Sequence, residues 1–302
     1  MNLFNAKNIS KTYASKGFQL QHINFSLASG QIAGVVGENG NGKTTFLRII
    51  AGELSFDEGE VTYFDGQTID AMGWETIKDK VAYIPQRIPK WYGGLRHNLI
   101  FEAAIRGIKG DAANELVDNL VLKLGLQAYI HLKWSEISTG YRLRFQLAKM
   151  LIGSPELIVL DEPIANLDIN AQGVFLNDLR KIVSDQSRNV SVILSSQQLH
   201  EIESIADTVL FLKQGKIIYG GEVENFGKDR TENEFEIQGD FDAAFLSSVF
   251  KDIELNLVAK TYNVRVPLAM SSSVFISTIL DHNKSITYFR DISSSTRKLF
   301  NQ

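Results

Sequence analysis

Residues Gly37-Glu38-Asn39-Gly40-Asn41-Gly42-Lys43-Thr44 follow the spacing G-x-x-x-x-G-K-[ST]. That spacing suits one kind of chemistry. The glycines allow backbone N–H groups to curl around phosphate oxygens, the start of a following helix adds positive dipole, Lys43 reaches terminal phosphates, and Thr44 offers a hydroxyl to Mg²⁺. A second set of groups lies at Asp161-Glu162, directly after the apolar run Leu157-Ile158-Val159-Leu160. Carboxylates at the carboxyl end of a buried strand stand where ligands bind in open α/β sheets. Asp161 is placed to hold Mg²⁺ directly or through water, and Glu162 to polarise an attacking water.

These groups need a scaffold, and the pattern around them supplies one. Ile32-Ala33-Gly34-Val35-Val36 is a continuous apolar run, as expected of a strand buried on both faces. Thr45 to Ala51 has helical apolar spacing and stops at Gly52, so the loop sits between strand and helix. Val190 to Ser195 reads as a third buried strand after a helix over Ala171–Val183, and the alternation predicts a parallel sheet. Residues 1 to 35 instead alternate apolar and polar positions, as short antiparallel strands do. The stretch from about 88 to 153 has helical periodicity, including Leu99–Ile105 and Glu115–Leu124, and reads as an inserted helical subdomain.

Beyond Gly220-Gly221 the composition turns charged through Glu234, with 226–234 taken as a linker. Residues 235–302 then read as a separate α+β unit: strand Phe235–Ile237, helix Ala243–Phe250, strands Glu254–Ala259 and Tyr262–Val266, helix Ser272–Leu280, strand Ile286–Phe289. That order is βαββαβ, as in ferredoxin-like folds. There is no internal repeat or low-complexity tract.

Composition narrows the function classes. The 302 residues carry 31 Lys+Arg against 35 Asp+Glu, and 44% hydrophobic residues give ample material for a core. With no cysteine there is no disulfide, zinc–thiolate cluster or Cys nucleophile, which suits a reducing compartment. The acidic balance weighs against nucleic acid as a partner. The N-terminal residues lack the pattern of a secretory signal, and no run of about 18 apolar residues predicts a membrane span.

With phosphate loop and acidic pair in this order, residues 1–225 resemble the ATP-binding subunit of an ATP-binding cassette (ABC) transporter. The resemblance implies an α/β fold: a P-loop NTPase core with an antiparallel β subdomain and the inserted helical subdomain, followed by the small C-terminal domain. It implies ATP and Mg²⁺ as cofactors, with Gly37, Glu38, Asn39, Gly40, Asn41, Gly42, Lys43, Thr44 and Thr45 around the phosphates, and Thr44, Gln86 and Asp161 at the metal. Tyr13 falls where the family stacks an aromatic on adenine; a core tyrosine is the alternative. Gln86 in Tyr83-Ile84-Pro85-Gln86 matches the Q-loop, and Ala165-Asn166-Leu167-Asp168 the D-loop that crosses a dimer interface. The segment Gly93–Leu99 sits where the family's helical subdomain meets the membrane subunit; Trp91 and Tyr92 belong to that contact or to local packing.

Two positions depart from the family. Where the signature usually reads L-S-G-G-Q, this chain has Ile137-Ser138-Thr139-Gly140-Tyr141, followed by Arg142 and Arg144. Ser138, Thr139 and Gly140 still offer a hydroxyl and helix-start N–H groups to a γ-phosphate. The switch histidine falls on Gln197, and His200 reads as a surface residue. An amide donates a hydrogen bond but carries no charge, so slow hydrolysis is expected, with Glu162 and Gln197 as the catalytic pair. The signature variant and the tail Phe289–Phe300 resemble those of type-2 exporter ATPases. The expected unit is a dimer of such subunits, cytoplasmic and peripheral, acting on a separate transmembrane permease. The alternative is an ATP-dependent regulatory subunit that scarcely hydrolyses. Ribosome-associated and DNA-repair cassette ATPases fit less well, because tandem cassettes and long coiled coils are both missing.

Overall fold

The computed structural model describes residues 2–13, 17–64, 66–68, 73–185, 189–226 and 231–293, which divide into two compact units, 1–223 and 224–302. The first unit runs β1 (Asn2–Tyr13), β2 (Phe18–Ala28), β3 (Ile32–Val36), α1 (Lys43–Ile50), β4 (Glu58–Tyr63), β5 (Gln67–Thr68), α2 (Trp74–Lys80), β6 (Val81–Ile84), α3 (Leu95–Ile105) and α4 (Asp111–Lys123). It continues through α5 (Thr139–Ile152), β7 (Leu157–Leu160), α6 (Ile169–Ser184), β8 (Ser191–Ser196), β9 (Thr208–Lys213) and β10 (Lys216–Glu222).

Two sheets organise this unit. The first is antiparallel along its β2-β1-β4-β5 order. The second has the order β10-β9-β3-β8-β7-β6, parallel throughout except for the β10 edge. Strands β3, β7 and β8 are buried at every position, which is why β3 and β7 read as unbroken apolar runs rather than alternating ones, while β8 carries serines on either side of Val192-Ile193-Leu194. Helix α1 packs between the sheets and buries Phe46, Leu47, Ile49 and Ile50 in a core shared with Phe4, Ile9, Leu20, Val35, Tyr63 and Val159. Burying each of these large side chains contributes about 1.5–3 kcal/mol, so α1, only eight residues long, is held by packing rather than by its own propensity.

Because β3, β6, β7 and β8 run the same way, Gly37, Pro85-Gln86, Asp161-Glu162 and Gln197 all follow carboxyl ends on one edge of the sheet. The inserted helices α3, α4 and α5 pack on one another around Leu95, Leu99, Val117, Leu120 and Leu143. Trp91 is buried there, stacked on Trp134 at 4.9 Å with its indole N–H donating to Gln146 Oε1 at 3.0 Å, whereas Tyr92 is 80% exposed. Of that pair, local packing therefore accounts for Trp91. No helix among the described residues is long and apolar enough to cross a membrane.

The second unit runs β11 (Glu232–Gly239), α7 (Ala243–Val249), β12 (Glu254–Val258), β13 (Thr261–Pro267), α8 (Ser272–Asp281) and β14 (Ile286–Asp291). Its sheet order is β12-β13-β11-β14, with all neighbours antiparallel. Its own core gathers Phe235, Ile237, Leu246, Val264, Phe275 and Ile279. The linker expected over 226–234 overlaps β11 at Glu232, Asn233 and Glu234, so its end requires correction. Charge patterning misreads these residues because Asn233 and Glu234 are buried: the Asn233 amide donates to the carbonyls of Leu268 and Met270. The tail beyond Ser293 lies outside the described residues.

Candidate active site

The loop after β3 is shaped by glycine where side chains have no room. A Cβ on Gly37 would stand 2.5 Å from the Leu212 carbonyl oxygen, and Gly42 enters α1 at φ 103°, in the left-handed region that favours glycine. Asn41 is buried and faces the β9–β10 turn, where its Oδ1 accepts from the Gln214 N–H at 2.8 Å. Glu38, Asn39 and Gly40 form the exposed rim, and Thr44 and Thr45 open α1.

Lys43 is 4% exposed and bridges the loop: its Nζ donates to Gly37 O at 2.6 Å and Glu38 O at 3.2 Å, and pairs with Glu162 Oε1 at 3.0 Å. The other Glu162 oxygen, Oε2, accepts from the Gln86 amide at 2.8 Å and the Gln197 amide at 3.3 Å. A buried carboxylate needs such compensation, and here one ammonium and two amides provide it. Glu162 takes φ 45°, a conformation few non-glycine residues adopt, which turns the chain sharply at the end of β7. Asp161, buried beside it, accepts from the Thr44 hydroxyl at 2.7 Å through Oδ2 and from the Ser195 hydroxyl at 2.8 Å through Oδ1.

Residues from four separate stretches of sequence thus converge: Lys43 and Thr44, Gln86, Asp161 and Glu162, and Gln197. The signature residues Ser138, Thr139 and Gly140 gather elsewhere, at the start of α5 beside the start of α6. Ser138 caps α5 by accepting from the Tyr141 N–H, and Asp168 caps α6 by accepting from the Ala171 N–H at 2.9 Å. A Cβ on Gly140 would lie 3.1 Å from the Ala171 Cβ, so the two helix starts touch. Thr139 is the first residue of α5 and is exposed. The Tyr141 ring lies tilted at 33° against Tyr129 with ring centres 3.8 Å apart, and the hydrogen bond with Tyr129 raises its pKa above the phenol's ordinary value. Tyr13 closes β1, half buried, in register with Phe18 on the antiparallel sheet. His200 lies exposed in a 3-10 turn.

Two members of the site, Tyr83 and Ser195, are given no role by the motifs. Burial, and after it the negative charge of Asp161, raise the Tyr83 phenol above its ordinary range. Ser195 is fully buried under the acidic pair. Its only signal in the sequence is a hydroxyl directly after the apolar run Val192-Ile193-Leu194.

Comparison with known proteins agrees with the geometry. The sequence profile of the family described as ABC transporter matches residues 20–165. An uncharacterized ABC transporter ATP-binding protein of Methanocaldococcus jannaschii, MJ1023, is 30% identical over 226 residues, covering 72% of this chain and 77% of the relative. The phosphonates import ATP-binding protein PhnC of Treponema denticola is 29% identical, with 71% and 88% covered. Among solved structures, CbiO1 of Clostridium perfringens, part of the ABC transporter complex cbiONQ, superposes with a TM-score of 0.69 over 74% of this chain and 90% of its own, at 21% identity. A phosphate loop facing an acidic pair across a parallel sheet is thus accompanied by likeness in both sequence and fold, and the chain belongs to the ATP-binding subunits of ABC transporters.

Proposed function

We propose that this chain hydrolyses ATP as the motor of an exporter, working as a head-to-tail dimer on the cytoplasmic face of a separate permease. The observation that carries the reading is the environment of Glu162, a carboxylate held by Lys43, Gln86 and Gln197 at the mouth of the phosphate loop. Glu162 is the group that takes a hydrogen bond from an attacking water and orients it in line with the γ-phosphate. Lys43, once it turns from the Gly37 and Glu38 carbonyls, binds terminal phosphate oxygens, and the loop N–H groups bind the rest. The paired Thr44 hydroxyl and Asp161 carboxylate are hard oxygen donors of the kind Mg²⁺ takes alongside nucleotide phosphates and water, so the residues present fit that ion. Bound there, Mg²⁺ supplies charge neutralisation to the phosphates.

One phosphate loop and one signature in a chain leave each nucleotide to be completed by a second chain, and a two-fold pair satisfies both sites with the same contacts. Tyr13 is the residue proposed to stack on adenine, Ser138, Thr139 and Gly140 to meet the γ-phosphate of the facing protomer, and Asp168 to lie at the dimer interface. The domain assignment that goes with this reading is a cassette up to about residue 225 and a C-terminal accessory domain. Export rests on the Ser138–Tyr141 signature variant and the tail. It stands against the importing role named for the Treponema relative.

The second reading, a slowly hydrolysing regulatory subunit, draws on Gln197, which offers Glu162 an uncharged amide. The Mg²⁺-dependent ATPase rate per chain, followed against protein concentration for wild type and Glu162→Gln, separates the two. A specific activity that rises with concentration and collapses in Glu162→Gln supports the dimeric motor. Nucleotide binding without turnover in either protein, with or without the permease, favours the regulatory subunit.

A further inference from the structure

We infer that Ser195 is a positioning residue that aims both carboxylates of the acidic pair, through one hydroxyl. The inference rests on the nucleotide-binding reading of the site. Ser195 lies in β8 and is fully buried, following Val192, Ile193 and Leu194, which are equally buried. A hydroxyl in such a run is costly unless its donor and acceptor capacity is used. Both are used: the hydroxyl donates to Asp161 Oδ1 at 2.8 Å and its oxygen accepts from the Glu162 N–H at 2.8 Å.

Each bond has a distinct consequence. The first pins one Asp161 oxygen to the sheet, which leaves Oδ2 facing Thr44 at 2.7 Å. The second holds the Glu162 backbone at φ 45°, from which the side chain reaches Lys43, Gln86 and Gln197. Without the hydroxyl, the strained turn loses a partner for its N–H and the Asp161 carboxylate is free to rotate. Outer-shell partners of this kind typically carry 10–100-fold in metal affinity or activity.

Ser191 supplies an internal control. It lies in the same strand, is equally buried, and accepts from the Gly30 N–H at 2.8 Å, at the opposite end of β8 from the acidic pair. The test measures the affinity of the β,γ-imido analogue of ATP in Mg²⁺ and in EDTA, with thermal midpoints, for wild type, Ser195→Ala, Ser195→Thr and Ser191→Ala. Ser195→Ala is expected to match wild type in EDTA within about twofold and to lose about tenfold of the affinity gained from Mg²⁺. Ser195→Thr is expected to keep that gain, and Ser191→Ala to keep it despite a comparable loss of thermal stability. If Ser195→Ala does not fold, Ser195→Cys, a weaker donor of the same shape, carries the same comparison. An undiminished Mg²⁺ gain in the Ser195 variant, or an equal loss in Ser191→Ala, overturns the positioning role alone. Failure of the wild type to bind the analogue in either buffer overturns the nucleotide reading and this role with it.

Discussion

The Gln197 amide lies 3.3 Å from Glu162 Oε2, the same oxygen that Gln86 reaches at 2.8 Å. The switch position therefore already touches the carboxylate proposed as base, but as a neutral donor. An imidazolium there would add positive charge beside the γ-phosphate, where a charge-assisted hydrogen bond is roughly twice as strong as a neutral one. Gln197→His is expected to raise the steady-state ATPase rate by about tenfold, with little change in KM. An unchanged rate would show that the glutamine is not what limits turnover.

The Lys43–Glu162 pair is almost completely enclosed, at 4% and 6% side-chain exposure. Removing one member of a buried pair strands the other's charge, at about 3–5 kcal/mol. Lys43→Met alone should therefore lower the unfolding free energy by about that amount, in addition to weakening nucleotide binding. Lys43→Met with Glu162→Gln should recover a large part of it, because no charge is then stranded. Urea denaturation of the two single variants and the double variant gives the coupling directly. Strict additivity would mean that the pair is open to water in solution.

How much of this was legible from sequence depends on how local the signal is. The phosphate loop reads at once because Gly37 and Gly42 need special backbone space and the flanking strand and helix have distinct periodicities. Asp161 and Glu162 read almost as well, because they terminate an unbroken apolar run. Ser195 did not, since a single serine in a strand has no spacing partner; only the parallel register, with Leu194 opposite Leu160, brings it under the acidic pair. Glu232 to Glu234 misled for the opposite reason: their charged character suggested solvent, whereas pairing with β13 and burial of Asn233 and Glu234 put them in a sheet. The neighbourhood of Trp91 and Trp134 depends on helix packing and has no signature in sequence.

That packing separates two adjacent aromatic residues. Trp91 is 6% exposed and stacked on Trp134, while Tyr92 is 80% exposed. Trp91→Ala is expected to cost about 3–5 kcal/mol through cavity formation and loss of the stack, and Tyr92→Ala no more than about 0.5 kcal/mol. Chemical denaturation of the isolated chain reads both. Comparable losses in the two variants would place Tyr92 in the core as well.

Arg144 on α5 reaches across to Asp178 on α6 at 2.7 Å, with side-chain exposures of 13% and 7%. Burial pushes the Asp178 carboxyl above its ordinary value of 3.8, outweighing the charge and hydrogen bond of Arg144. A carboxyl whose pKa is higher in the folded chain than in the unfolded one binds its proton preferentially when folded. Its contribution to stability is fully present below the unfolded value and is lost as the pH rises through the folded one. The unfolding free energy of wild type relative to Asp178→Asn should accordingly be greatest near pH 4 and decline as the pH is raised from there. Urea titrations of both proteins at intervals from pH 4 to pH 7 follow the difference. A difference that grows with pH would mean that the Arg144 ion pair outweighs desolvation, so that the strut between the signature helix and α6 is strongest when Asp178 is charged.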